Sequence, residues 1–407
     1  MTTEFATLLR ILSSASAGEP FPALPEGLDW PLLEKLAREQ SAPGLWGYAL
    51  YHAKAVIPEP VLVRGKQQYF FLVAREAYRR AGILRLLADL DGMGIRAAVL
   101  KGFAVGESYA VPECRISGDV DLLVDPKDEA RTIALLTGQG FTVQRRCVDA
   151  HHDIAVHPSL GLVELHVRLY EEMFGQHWFE GAFLAPARPH VRMETPKGVF
   201  WTLAPDDHML FLLLHLAKHF VIGGINLRML LDCGLFYRAH AAELDRVALT
   251  ETLKKLRLDR LVGACFYALI HTGGVAIPDA PFQDIEGLPA LAEKLLTDLE
   301  AHIFLREDQS HSRRETRDAF AKRRLGKRFA SSEAQRRFVR LPRKIFPYKS
   351  QLRKEYPVLI RRPILLPAVW LVRSVKKIFR HGSATPKALT ANEKRLALFE
   401  ELGLFDK

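Results

Sequence analysis

VLKGFAVGESYAVPECRISGDVDLLV, residues 99–124, is the stretch whose reading decides the fold. It runs as an apolar strand, a glycine turn, a short helix and a second strand. The second strand carries Asp119 and Asp121. Side chains alternate across a strand, so two acids separated by one residue point the same way. The run Leu122-Leu123-Val124 follows them directly. Two carboxylates on one face at the start of a buried strand point to a site for a divalent cation.

Working outward, IRAAVLK and GDVDLLV are short apolar runs bounded by glycine, as buried strands are. Asp125 and Pro126 predict a helix start, with Asp128 and Glu129 in its first turn and Gly140 at its end. FTVQRRCV, DIAVHP and LVELHVRL alternate as strands. Residues 95–167 therefore predict a small mixed α/β region of about five strands. PHVRME and VFWTL, joined at Thr195-Pro196-Lys197-Gly198, predict a hairpin.

On either side the patterning turns helical. Asp29 and Pro31 predict the start of a helix through WPLLEKLAREQ, and a long helix is expected over about 61–91, ending at Gly92 and Gly94. Beyond Pro205, HMLFLLLHLAKHF, NLRMLLDCGLFYRAH, TETLKKLRLDRLVGACFYALIHTGG and residues 288–304 each read as one helix. The expected class is α+β. A mixed-sheet core over 93–203 is flanked by an N-terminal helical region, 1–92, a helical domain, 204–304, and a basic helical region, 305–407.

Charge is unevenly placed along the 407 residues. The net charge is +10, yet residues 301–380 hold 23 Lys+Arg and 6 Asp+Glu, against 34 and 41 elsewhere. Such a basic segment suits an anionic surface or nucleic acid, or is simply a solvated helical face. Apolar residues make up 48% and charged residues 26%, which excludes a disordered chain. No run reaches the roughly 20 apolar residues needed to span a bilayer. PVLIRRPILLPAVWLVRSVKKIF reads instead as an interfacial or core helix, and 389–405 as a short amphipathic one. The N-terminus has no basic segment before its apolar part, so no secretory signal is expected. Four cysteines, Cys114, Cys147, Cys233 and Cys265, match neither a zinc pattern nor a disulfide framework. The expected location is the cytoplasm, with a peripheral membrane association through the basic region as an added expectation.

The combination Lys101-Gly102, Tyr109, Arg115-x-Ser117-Gly-Asp119-x-Asp121-Leu-Leu-Val and Val163-Glu164-Leu165-His166 resembles the uncharacterised nucleotidyltransferase family of the polymerase β-type superfamily. The resemblance continues through D-x-x-L-x-L-L-x-H-x-x-x-H and L-R-x-L-L-D, between Asp207 and Asp232, and covers roughly residues 60–300. It implies transfer of a nucleoside monophosphate from an NTP to an acceptor, with Mg²⁺ or Mn²⁺ held by Asp119, Asp121 and Glu164. Lys101, Gly102, Arg115 and Ser117 would bind the nucleotide. The superfamily turn is usually Gly-Ser or Gly-Gly; Lys101-Gly102 departs from it and offers a point cation instead.

His166 shares the face of Glu164 and, with Lys218, His219 and Arg228, is expected on the substrate side. Each has a plainer reading: His166, like His152 and His157, as a packed histidine, and Arg228 as the i,i+4 partner of Asp232. His215 and His219 also have i,i+4 spacing, but no H-E-x-x-H glutamate accompanies them, so no zinc site is expected. The acceptor is open: small molecule, sugar, protein or RNA. The rival function is a non-catalytic adaptor of the same fold that docks through 305–380. A metal-dependent phosphohydrolase lacks its usual histidine-aspartate cluster.

Overall fold

A computed structural model describes residues 1–145, 152–169, 190–301 and 386–404. The chain divides into two compact units, residues 1–310 with 401–404, and residues 311–400 with 405–407. Everything below concerns the first. The basic stretch 305–380, the apolar segment 357–379 and Cys147 lie outside the described residues. The last helix spans Pro386–Glu401.

The first unit opens with helices α1, Thr3–Ala17, α2, Trp30–Glu39, α3, Pro43–His52, and α4, Glu59–Gly92. Thr2 caps α1, a helix that buries Phe5, Leu8, Leu9 and Leu12. Asp29 caps α2 as its sequence predicts, accepting from Leu32 N at 2.9 Å. A cap of this kind is worth about 1 kcal/mol.

The sheet has seven strands: β1, Ala98–Leu100; β2, Asp119–Leu123; β3, Thr142–Gln144; β4, His152–His157; β5, Gly161–His166; β6, Val191–Thr195; and β7, Gly198–Thr202. Their order is β3-β4-β5-β2-β1-β7-β6. β2 runs parallel to β5 and antiparallel to β1, and β7 runs parallel to β1. The sheet is therefore mixed, and the hairpin β6–β7 extends it rather than standing apart. A short helix α5, Lys101–Val105, links β1 towards β2, and α6, Glu129–Gly138, follows β2.

The central strands are covered on both faces, which is why they read as near-continuous apolar runs. On one face Val99, Val120, Leu122, Val163 and Leu165 pack under Ile83, Leu86, Leu87 and Leu90 of α4. On the other, Ala98, Leu100 and Leu123 meet Leu203 and Phe211. Each fully buried aliphatic side chain contributes about 2 kcal/mol. Asp119, Asp121 and Glu164 alternate onto this second face.

After the sheet come α7, Pro205–Ile222, α8, Leu227–His240, α9, Arg246–Lys255, α10, Asp259–Tyr267, and α11, Leu288–Ala301. The helix expected through TETLKKLRLDRLVGACFYALIHTGG is two helices. Arg257 takes a left-handed φ of 59° between them, and α10 ends in a π-helical turn over Ala268–Thr272. The helix expected from Asp125 starts later. Asp125 accepts from Lys127 N and caps a single 3-10 turn before α6. Cys114, Cys233 and Cys265 are buried free thiols. Among the described residues, no helix is long and apolar enough to cross a membrane.

Candidate active site

The site begins where β1 ends. Lys101 has a φ of 46°, a left-handed conformation that a side chain with a Cβ adopts at a cost of about 1–3 kcal/mol. This bend starts α5 directly off the strand and turns the Lys101 side chain onto β2. Its ammonium donates to Asp121 Oδ1 at 2.7 Å.

The long helix α4 holds both sides of this turn. Arg79 donates through Nη1 to the carbonyl of Ser117 at 3.2 Å and through Nε to that of Leu160 at 2.9 Å. Arg80 donates to the carbonyl of Phe103 at 3.2 Å and lies over its ring at 4.1 Å. The loop before β2 and the first turn of α5 are thus pinned to one rigid element.

The carboxylates form one wall. β2 and β5 pair in parallel register, with Asp121 beside Glu164. Nε2 of His166 lies 3.0 Å from Asp121 Oδ1 and 3.6 Å from Glu164 Oε2. His152, opposite His166 across β4–β5, reaches Glu164 Oε1 at 3.6 Å. Burial alone would raise the Asp121 carboxyl, but Lys101 and His166 more than offset it and hold it well below the usual carboxylate range. Burial works against the Lys101 charge, and Asp121 outweighs it, so the ammonium stays above its usual range. Burial and then the Asp121 charge push Asp119 up. That shift marks a surplus of negative charge that a bound cation would relieve.

The other wall is cationic. Arg115 donates from Nε and Nη2 to the two carboxylate oxygens of Asp232, at 3.0 Å and 2.5 Å. Tyr109 adds its hydroxyl to Asp232 Oδ1 at 2.6 Å. The i,i+4 pairing expected between Arg228 and Asp232 is absent. Arg115 takes the carboxylate, and Arg228 donates to the carbonyl of Ile116 at 2.7 Å. Burial, then the Arg115 charge, pushes Arg228 down to about 10, so it remains cationic near neutral pH. A β-carbon on Gly102 would sit 2.2 Å from Arg115 Nη1 and 2.6 Å from Ser117 Oγ. The glycine is what lets the guanidinium close over the turn.

Between the walls is a cavity of about 340 Å³. Lys101, Gly102, Arg115, Ser117, Asp119, Asp121 and Glu164 line it, and α7 and α8 add Lys218, His219 and Arg228. Every site residue expected from the sequence is therefore gathered here except His166, which is buried behind Asp121.

Over residues 26–272 the sequence matches a family described as uncharacterised nucleotidyltransferase. The chain belongs to this family. No curated protein matches it.

The D-x-D and E-L-H segments of this sequence lie on β2 and β5, adjacent in the sheet. His152, expected as a packed histidine, lines the cavity. Among the described residues, His152, Glu164 and His166 each offer a ligand atom within 4.8 Å of the others. Their alternation on β4 and β5 was visible, but not the pairing of those strands. Ser41, Asn226 and Cys233 also line the cavity without a sequence signal of their own, and His215 lines it beside its i,i+4 neighbour His219. His157 stays structural: its Nδ1 accepts from the backbone of Ser159 and Leu160, both at 3.1 Å. His215 is held neutral, chiefly by burial and then by the Lys101 charge.

Proposed function

We propose that the chain transfers a nucleoside monophosphate from an NTP to an acceptor in a reaction that depends on Mg²⁺ or Mn²⁺. The observation that carries this reading is the side-by-side register of Asp121 and Glu164, with Asp119 on the same face of the sheet.

The donor set fits a divalent cation. Three carboxylates share one face, two imidazole nitrogens stand beside them, and Asp119 carries the charge surplus described above. Asp119, Asp121 and Glu164 would hold the ion, and His166 orients Asp121. When bound, the ion supplies charge stabilisation at the transferred phosphoryl group and acidifies the attacking hydroxyl.

The rest falls to the chain. Gly102, Ser117, Arg115 and Lys101 receive the phosphates of the NTP. Lys218, His219 and Arg228 face the substrate side, whereas His166, expected there, stands behind Asp121. The acceptor hydroxyl gives up its proton to solvent as its oxygen bonds to the α-phosphorus, the bond from that phosphorus to the bridging oxygen breaks, and pyrophosphate leaves. The acceptor is a small molecule, sugar, protein or RNA, and the basic stretch 305–380 is the segment through which an anionic partner or membrane surface would be engaged. The free buried thiols are consistent with a reducing, cytoplasmic setting.

One observation favours the adaptor reading. The Lys101 ammonium already occupies Asp121 Oδ1, and so neutralises the carboxylate without a metal. Label transfer from an α-³²P-NTP separates the two readings. Metal-dependent incorporation that disappears in folded Asp119→Asn and Asp121→Asn variants supports transfer. Wild-type incorporation in those variants would overturn the site. A chain that shows no melting shift with any NTP and metal is the adaptor.

A further inference from the structure

We propose that Arg115 and Arg228 form a metal-independent oxyanion site in this cavity, and that it takes a phosphate group of a substrate. The inference rests on the reading above only in that the substrate carries phosphate.

A guanidinium has five N–H donors in a rigid fork. In Arg115 two of its nitrogens are spent on Asp232, and the side chain is only 5% exposed. Tyr109 holds the far side of that carboxylate, so the plane of the guanidinium is fixed. The remaining nitrogen, Nη1, lies against Gly102, is buried, and has no hydrogen-bond partner. Arg228 repeats the pattern. One of its nitrogens is spent on the Ile116 carbonyl, its Nε is buried without a partner, and among the described residues no carboxylate makes an ion pair with it.

A buried donor left unsatisfied costs about 1–3 kcal/mol, and more when charged. Two such donors on two cations lining one cavity are an arrangement that a ligand completes. The ligand must be an anion with several acceptor oxygens, because Asp232 is taken by Arg115 and leaves the Arg228 guanidinium without a carboxylate in contact among the described residues. Phosphate has that geometry, and arginine forks match it. At the α8 N-terminus the N–H of Leu227 is taken by Gln40 and that of Met229 by Asn226, so the proposed site consists of side chains. Asp232 and Tyr109 are then positioning residues that fix Arg115 from α8 and from the loop after α5.

The phosphate has two sources, the triphosphate of the donor or a phosphate carried by the acceptor. Titration calorimetry of the full chain with inorganic pyrophosphate in EDTA tests the site itself. Saturable binding is expected, weakened about tenfold or more in Arg228→Gln, with Arg228→Lys in between because it keeps charge and loses the fork. Circular dichroism establishes that the variants fold. If the wild-type chain does not bind pyrophosphate in EDTA, or folded Arg228→Gln binds it as tightly, the proposal is wrong. A non-hydrolysable NTP with Mg²⁺ assigns the source: competition with pyrophosphate places the donor triphosphate there, and simultaneous binding places an acceptor phosphate. Pyrophosphate binding without any label transfer would retire nucleotidyl transfer and leave the oxyanion site standing.

Discussion

The Lys101 ammonium lies 2.7 Å from Asp121 Oδ1, and the lysine reaches it from a left-handed backbone at the end of β1. The pair joins the turn after one strand to the middle of the next. Asp121 is 2% exposed, so its charge depends on partners rather than water.

Removing one partner of a buried pair strands the other. Lys101→Met is therefore expected to destabilise the chain by about 3 kcal/mol. Urea denaturation reads the loss. The double variant Lys101→Met/Asp121→Asn should recover part of it, since no buried charge is then left alone. Additive losses in the double variant would show that the pair is not coupled.

Gly102→Ala places a methyl group where Arg115 Nη1 and Ser117 Oγ now sit. The guanidinium must move, while the apolar cluster under α4 is untouched. Nucleotide affinity is expected to fall about tenfold with little change in melting temperature. A large melting loss with unchanged affinity would contradict the role given to the turn.

His208 sets a pH dependence of stability. It is fully buried beside Thr202, whose hydroxyl lies 3.3 Å from its Nδ1, and burial pushes its pKa down to about 3 from 6.5. Between those values the unfolded chain binds the proton and the folded chain does not. Stability is therefore present above 6.5 and lost as pH falls through the window towards 3. Between pH 7 and pH 5 the loss from this group is about 2 kcal/mol. Denaturation curves at the two pH values should show that extra loss in the wild-type chain and not in His208→Gln. Parallel curves would rule the assignment out.

Imidazole nitrogens beside the carboxylates favour Mn²⁺ over Mg²⁺. Mn²⁺ is expected to raise the melting temperature at lower concentration than Mg²⁺, and His152→Ala to narrow that difference. EDTA should abolish both shifts. Equal responses to the two ions, before and after the substitution, would place His152 outside the ion's reach.

Much of the architecture was legible because its signals are local. The alternation in GDVDLLV and LVELHV, the cap at Asp29 and the long apolar face of α4 depend on residues a turn or a pleat apart. The break at Arg257 was not legible, since helical periodicity runs across it and one left-handed residue interrupts the helix without disturbing the pattern.

By itself, then, the sequence determined most of the strands and helices of the first unit, that Asp119 and Asp121 share a face, and that a later strand carries Glu164 and His166. Tertiary structure alone decided that Asp121 stands beside Glu164, that His152 joins them, and that Asp232 binds Arg115 rather than Arg228. Strand order and helix docking are set by how the whole apolar surface is buried at once. No local period records that outcome, and the site is built from contacts between segments that the chain holds far apart.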